Sequence, residues 1–168
     1  MRILAYLFLV IAFSAACFAQ QSQTKNEAQN FTATSIQGQT FDLAELKGKI
    51  VLMTFWSTRC PICAKETSKL NQLAARYKNK DVVFLGLTAD NSTKVESFIK
   101  KKPFDFNLLP DTFGVLLKYA DKDDSGRVMM SYPAYYLINQ AGEIELKANG
   151  YGKEDKIDSE INRLLRTE

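Results

Sequence analysis

Two stretches, residues 50–56 and 82–87, are almost unbroken apolar runs rich in branched and aromatic side chains. Such runs predict strands buried on both faces. Between them Leu70, Leu73, Ala74 and Tyr77 recur at helical spacing, so the segment reads strand–helix–strand and its two strands pair in parallel. Thr93, with Glu96 three residues on, predicts a capping box for a helix carrying Val95, Phe98 and Ile99 on one face, and Pro103 stops it. Residues 113–119 predict a short helix, and 121–127 a polar loop containing glycine. Residues 134–138 form the next buried strand, 139–142 a turn, and 143–148 an antiparallel return. Ile157, Ile161, Leu164 and Leu165 line one face of a C-terminal helix, while residues 31–36 and 40–43, separated by a turn at 37–39, predict a hairpin ahead of everything else. A βαβ half followed by a ββα half assembles into an α/β fold: a central mixed sheet flanked by helices, with an N-terminal β-hairpin extension.

The first residues follow a different pattern. Arg2 is followed by an apolar run over residues 3–13, then by small residues ending at Ala19. This predicts a secretory signal peptide over residues 1–19, too short for a comfortable membrane span. Cys17, preceded by Ser14, Ala15 and Ala16, resembles a bacterial lipoprotein signal, but the large aliphatic residue favoured at the place of Ser14 is missing. Cleavage after Ala19, with Cys17 discarded, is therefore preferred to lipidation, which alone would bring membrane contact. Residues 20–30, rich in Gln, Asn, Ser and Thr, read as a flexible tether, and residues 31–168 as one domain.

Composition narrows the chemistry. The chain has 168 residues, 46% hydrophobic and 24% charged, with a formal net charge of +3. That balance gives no reason to expect a nucleic-acid partner, and the run of lysines at 100–102 reads as a solvated helix end. Histidine is absent, which excludes His-based triads, His metal ligands and haem attachment through a Cys-x-x-Cys-His sequence.

What rises above composition is Cys60 and Cys63, separated by Pro61 and Ile62, at the junction where a buried strand gives way to a helix. The unpaired N–H groups and dipole of a helix N-terminus favour a thiolate there. Pro61 fits the first helical turn, where a missing N–H costs nothing. The spacing sets the second sulfur one turn on, within reach of a disulfide, with Cys60 exposed and attacking, Cys63 buried and resolving, and Arg59 a cation beside the nucleophile. Exchange would run through a mixed disulfide on Cys60 that Cys63 breaks, and no cofactor is called for. A structural zinc site needs more ligands than two cysteines without histidine supply. A purely structural disulfide over so short a loop gains little chain entropy. A pair of inert core cysteines fits poorly with a proline between them.

From residue 31 to the C-terminus the sequence resembles the TlpA/ResA-like thiol–disulfide oxidoreductase branch of the thioredoxin superfamily. The likeness is carried by Phe31, Thr32, Gly38, residues 43–49, Phe55 and Trp56, Cys60 and Cys63, Glu66, Tyr132 and Pro133 ahead of the strand at 134–138, and Gly142. It implies a thioredoxin-like fold and periplasmic or otherwise extracytoplasmic location. It further implies exported protein substrates bearing disulfides or thiols, and a membrane or extracytoplasmic electron donor. It makes Pro133 a cis-proline packed against the dithiol, consistent with proline being the residue for which a cis bond is cheap and with its place at the start of a buried strand. It also gives Glu66 a part in proton movement. Spacing alone leaves open a surface glutamate paired with Lys65 or Lys69.

The departures from the pattern matter. Thr54 stands where many thioredoxins bury an acid, Arg59 replaces a common Trp, Ile62 sits where Pro, Lys or His is frequent, and Tyr132 is bulkier than the usual Thr. The absence of histidine between the cysteines points to a reductant or isomerase, and of these a reductant is preferred. Two other functions fit the sequence less well. A thiol peroxidase of this fold would carry Pro and Thr where Met53 and Ser57 stand. A metal-binding chaperone is disfavoured by the lack of histidine and the cysteine spacing.

Overall fold

The computed structural model describes residues 26–166. The predicted signal peptide, Cys17 and the first part of the tether lie outside the described residues. The sheet is built around β3 (Ile50–Phe55), whose six residues are all buried. It pairs in parallel with β4 (Val82–Leu87), which pairs in parallel with β5 (Asn107–Leu109). On its other side β8 (Ala134–Ile138) runs antiparallel, followed by β9 (Ile144–Asn149). The order is β5-β4-β3-β8-β9, a mixed sheet.

Because strand side chains alternate between faces, β3 serves two cores at once. Ile50 and Leu52 meet Leu70, Leu73 and Ala74 of α1 (Pro61–Arg76) and Ile157, Ile161 and Leu164 of α4 (Glu154–Leu165). Val51, Met53 and Phe55 face Val115, Leu116 and Tyr119 of α3 (Phe113–Tyr119), together with Phe31, Phe41 and Leu43. A third cluster, Trp56, Cys63, Val95 and Leu108, is closed by α2 (Ser92–Ile99). The layered α/β arrangement expected from the sequence is the one observed.

Several local expectations are corrected. Helix α2 is capped by Asn91, whose side chain accepts the N–H of Lys94, and not by Thr93. Strand β5 has no counterpart in the sequence reading. Its three residues are held by pairing with β4 at Leu85, Gly86 and Leu87. The polar loop at 121–127 belongs to a small ribbon, β6 (Asp121–Lys122) against β7 (Val128–Met129). Its turn is tied by Asp123, which accepts hydrogen bonds from Ser125 and Arg127. The N-terminal pairing is between β1 (Thr32–Thr34) and β2 (Thr40–Asp42), shorter than the hairpin expected over residues 31–36 and 40–43.

Candidate active site

The site lies where β3 ends. Its ladder continues one residue beyond the strand, the Trp56 N–H bonding the Leu87 carbonyl at 3.0 Å. The chain then turns, with the Cys60 N–H donating to the Ser57 carbonyl at 3.0 Å, and enters α1. Cys60 occupies the N-cap in an extended conformation (φ −95°, ψ 104°) with Pro61 in the first helical turn. An N-cap side chain normally offers oxygen to the free N–H groups of the first turn. Here sulfur does so: Cys60 Sγ accepts the Cys63 N–H at 3.0 Å.

Cys60 and Cys63 are joined as a disulfide, their Cα atoms 5.3 Å apart. They differ in environment. Cys63 is 4% exposed and packs among Trp56, Val95 and Leu108, whereas Cys60 is half-buried with exposed Arg59, Pro61 and Ile62 around it. Of the two cysteines, Cys60 is therefore the more accessible from solvent.

Pro133, the residue before β8, is buried, and the Tyr132–Pro133 peptide is cis. Its carbonyl accepts the Gly150 N–H at 2.9 Å. Tyr132 packs against the cluster holding Trp56, Cys60 and Cys63, and burial together with the nearby Asp90 charge pushes its phenol pKa up.

Glu66 is 1% exposed, so it is not a surface glutamate. Lys69 pairs with Glu154 instead. Glu66 Oε2 accepts the Tyr135 hydroxyl at 3.4 Å and the Gly152 N–H at 3.2 Å, while buried Oε1 has no partner. Burial, and then the Glu66 carboxylate, push the Tyr135 phenol pKa up.

One group at the site was not read from the sequence. Asp90, after β4, sends its carboxylate under the loop that precedes Cys60. Oδ2 accepts the Ser57 hydroxyl at 2.9 Å, the Thr58 N–H at 2.7 Å and the Thr58 hydroxyl at 2.9 Å. Burial acts to raise its pKa, but these bonds, with the Lys94 charge, outweigh burial and hold it below the usual carboxylate range. Among the described residues no group of three or more His, Cys, Asp and Glu is placed to hold a metal ion.

Residues 24–147 match the AhpC/TSA family. The chain belongs to the AhpC/TSA family. The chain is also 27% identical over 146 residues to the thiol-disulfide oxidoreductase ResA of Bacillus thuringiensis, covering 86% of this chain and 80% of that protein. It is 33% identical over 115 residues to the soluble secreted antigen MPT53 of Mycobacterium tuberculosis, covering 68% of this chain and 65% of that one. A secreted M. tuberculosis disulfide oxidoreductase homologous to E. coli DsbE superimposes with a TM-score of 0.64 at 27% identity, over 80% of this chain and 96% of the other. With its cysteine pair at the strand–helix junction and this kinship, the AhpC/TSA-family chain is a thioredoxin-like thiol–disulfide oxidoreductase.

Proposed function

We propose that this oxidoreductase works outside the cytoplasm, after removal of residues 1–19, as a reductant of disulfides in other exported proteins. The observation that carries the chemistry is the asymmetry of the pair: a half-buried Cys60 at the helix N-cap and a buried Cys63 one turn behind it. In the reduced protein the Cys60 thiolate attacks a substrate sulfur. The substrate S–S bond breaks, one substrate thiolate leaves, and a mixed disulfide forms. Cys63 then gives up its proton and attacks Cys60 Sγ. The second substrate thiol is released, two electrons have passed to the substrate, and the Cys60–Cys63 disulfide remains for an extracytoplasmic or membrane donor to reduce.

Glu66 is the proton acceptor for Cys63 in this reading, supported by its burial one helical turn further on and by its unpartnered oxygen. Pro133 faces the dithiol and shapes the surface on which the substrate chain lies, supported by its burial and by the packing of Tyr132 against the cysteine cluster. The reducing direction rests on the residues between the cysteines. Neither Pro61 nor Ile62 supplies the charge that would stabilise the thiolate strongly, and a less stabilised reduced form is the better electron donor.

Equilibration of the mature protein with a glutathione series tests the direction. A potential at or below about −200 mV is expected, and one near the strongly oxidising end, about −120 mV, overturns the reductant reading. Intact mass of the exported protein tests processing: a chain beginning at Gln20 is expected, and acyl chains on Cys17 would place the protein on a membrane instead. Peroxide turnover at a rate above that of disulfide exchange would make it a peroxidase.

A further inference from the structure

We propose that Asp90 is a positioning residue for the dithiol: it fastens the loop that delivers Cys60 to the helix N-terminus, and its buried charge restrains Cys60 from ionising. The proposal rests on the dithiol being the working group and adds a determinant of its reactivity that lies thirty residues away in sequence.

The geometry is that of an anchor held from both sides. In front, Asp90 Oδ2 takes donors from both residues that follow Trp56, Ser57 and Thr58, and Thr58 is gripped twice, through its N–H and its hydroxyl. Ser57 passes the restraint on, its Oγ accepting the Arg59 N–H at 3.3 Å and its carbonyl accepting the Cys60 N–H at 3.0 Å. Every residue between Trp56 and Cys60 is thus tied, directly or through one intermediary, to a single carboxylate. Behind, the Asp90 N–H donates to Thr88 Oγ1 at 3.2 Å, and its carbonyl accepts the Asp111 N–H at 3.0 Å. Asp111 holds a positive φ of 55°, the only non-glycine residue among those described to do so. Asp is among the side chains that tolerate this region. The ends of β4 and β5 are thereby locked together beneath the loop.

Hydrogen bonding alone would not require an anion, because the amide oxygen of asparagine could accept from the same donors. What asparagine lacks is the charge. Asp90 is 8% exposed, and water screens a charge so placed far less than one at the surface. A carboxylate under the loop opposes the pull of the helix N-terminus on the Cys60 thiolate. The charged and titratable groups around it are few. Lys94 of α2 and Tyr132, before β8, face Asp90. Arg59 precedes Cys60 on the same loop, and Lys65 and Glu66 follow on α1. Exposed Arg59, Lys65 and Lys94 act mainly through solvent, which leaves Asp90 as the buried carboxylate bonded to the loop, with Glu66 buried on α1 against Tyr135 and Gly152.

Two mechanical consequences have opposite signs, and that makes the proposal testable. Asp90→Asn removes the charge and keeps an acceptor. Ser57→Ala and Thr58→Val keep the charge and remove donors that compensate it. The readout is the pH midpoint of Cys60 alkylation by iodoacetamide in the reduced full chain, alongside the equilibrium with glutathione. Asp90→Asn is expected to lower the midpoint by about half a unit, equivalent to about a threefold change in the ionisation constant. Where the midpoint falls below the assay pH, the glutathione equilibrium should move toward the reduced form by up to the same factor, about 14 mV. Ser57→Ala and Thr58→Val are expected to raise the midpoint. A loop that was merely loosened would move all three variants in one direction. An unchanged or raised midpoint in Asp90→Asn overturns the proposal. If that variant does not fold, failure of Ser57→Ala and Thr58→Val to raise the midpoint overturns it equally. Failure of the underlying dithiol reading looks different: the unsubstituted protein itself would then show no exchange with glutathione.

Discussion

The sulfur of Cys60 receives the backbone N–H of Cys63 across 3.0 Å, closing the first turn of α1 with a disulfide sulfur in place of the usual hydroxyl or carboxylate oxygen. A hydrogen bond of this kind strengthens when its acceptor carries negative charge. The contact therefore distinguishes the two cysteines: it favours charge on Cys60, while Cys63, enclosed by Trp56, Val95 and Leu108, has apolar neighbours that disfavour charge.

On that difference rests the proposed order of events. Cys63→Ser is expected to leave the attack of Cys60 on substrate intact and to accumulate mixed disulfides, visible as covalent adducts on non-reducing gels and by mass. Cys60→Ser is expected to abolish exchange, since the remaining thiol is buried. Recovery of adducts from Cys60→Ser and none from Cys63→Ser would reverse the assignment.

Glu66 makes a separate prediction. Glu66→Gln keeps the shape of the side chain and an oxygen for Tyr135 and Gly152, but it cannot take a proton. The second step, in which Cys63 must lose its proton, is expected to slow by at least about tenfold, a conservative share of what a positioned base contributes. The first step should be nearly unchanged. Rapid-mixing measurement of mixed-disulfide formation and decay separates the two, and equal rates for both steps in the variant and the parent would reduce Glu66 to a structural role.

These groups differ in how far the sequence reveals them. The apolar run that becomes β3 is legible because every one of its residues is buried, and residues 113–119 and 134–138 appear as elements with the bounds the pattern suggested. Cys60, Cys63 and Pro61 are legible because their chemistry is local to one helix turn. Glu66 is legible in register but not in depth, because the N–H that meets it belongs to Gly152, supplied by the segment before α4. Strand β5 is too short to carry a period of its own, and its existence depends on pairing with β4. Asn91 and Thr93 are both competent caps by residue type, and it is Asn91 whose side chain accepts the Lys94 N–H. Asp90 left no local trace, because its partners Ser57 and Thr58 sit on a different strand's end.

Asp90 also sets an acid limit. Its folded-state pKa lies below the ordinary value of 3.8, so the folded protein binds that proton less readily than the unfolded chain. The stabilisation is complete above the unfolded value and is lost as pH falls through the folded one. In the oxidised protein, where the cysteines do not titrate, the melting temperature is expected to fall below about pH 4 and to fall less steeply in Asp90→Asn. Some slope should persist, because Asp42, Asp123 and Glu154 are lowered as well. Parallel curves for the two proteins would show that Asp90 contributes nothing to acid stability.

The last prediction concerns the floor beneath the dithiol. Gly86, opposite Thr54 in β4, leaves room for the side chains of its neighbours. A Cβ there would stand 2.6 Å from Leu108 Cδ2, 3.2 Å from Trp56 Nε1 and 3.3 Å from Phe106 Cε2. Leu108 is itself buried, so its methyl group cannot swing into solvent, and Trp56 is held by Phe98 and Phe104. Gly86→Ala must therefore displace a packed core, at a cost of about 1–3 kcal/mol, which urea unfolding of the oxidised protein would measure. The displacement should also reach the site, because Trp56 packs with Cys63 and is the single tryptophan in the chain. Indole emission is quenched by a neighbouring disulfide, so the parent protein is expected to brighten on reduction. In Gly86→Ala the size of that change should differ, since the indole has moved relative to the sulfurs. A variant with unaltered stability and an unaltered redox-linked emission change would mean that this corner of the core yields without loading the dithiol.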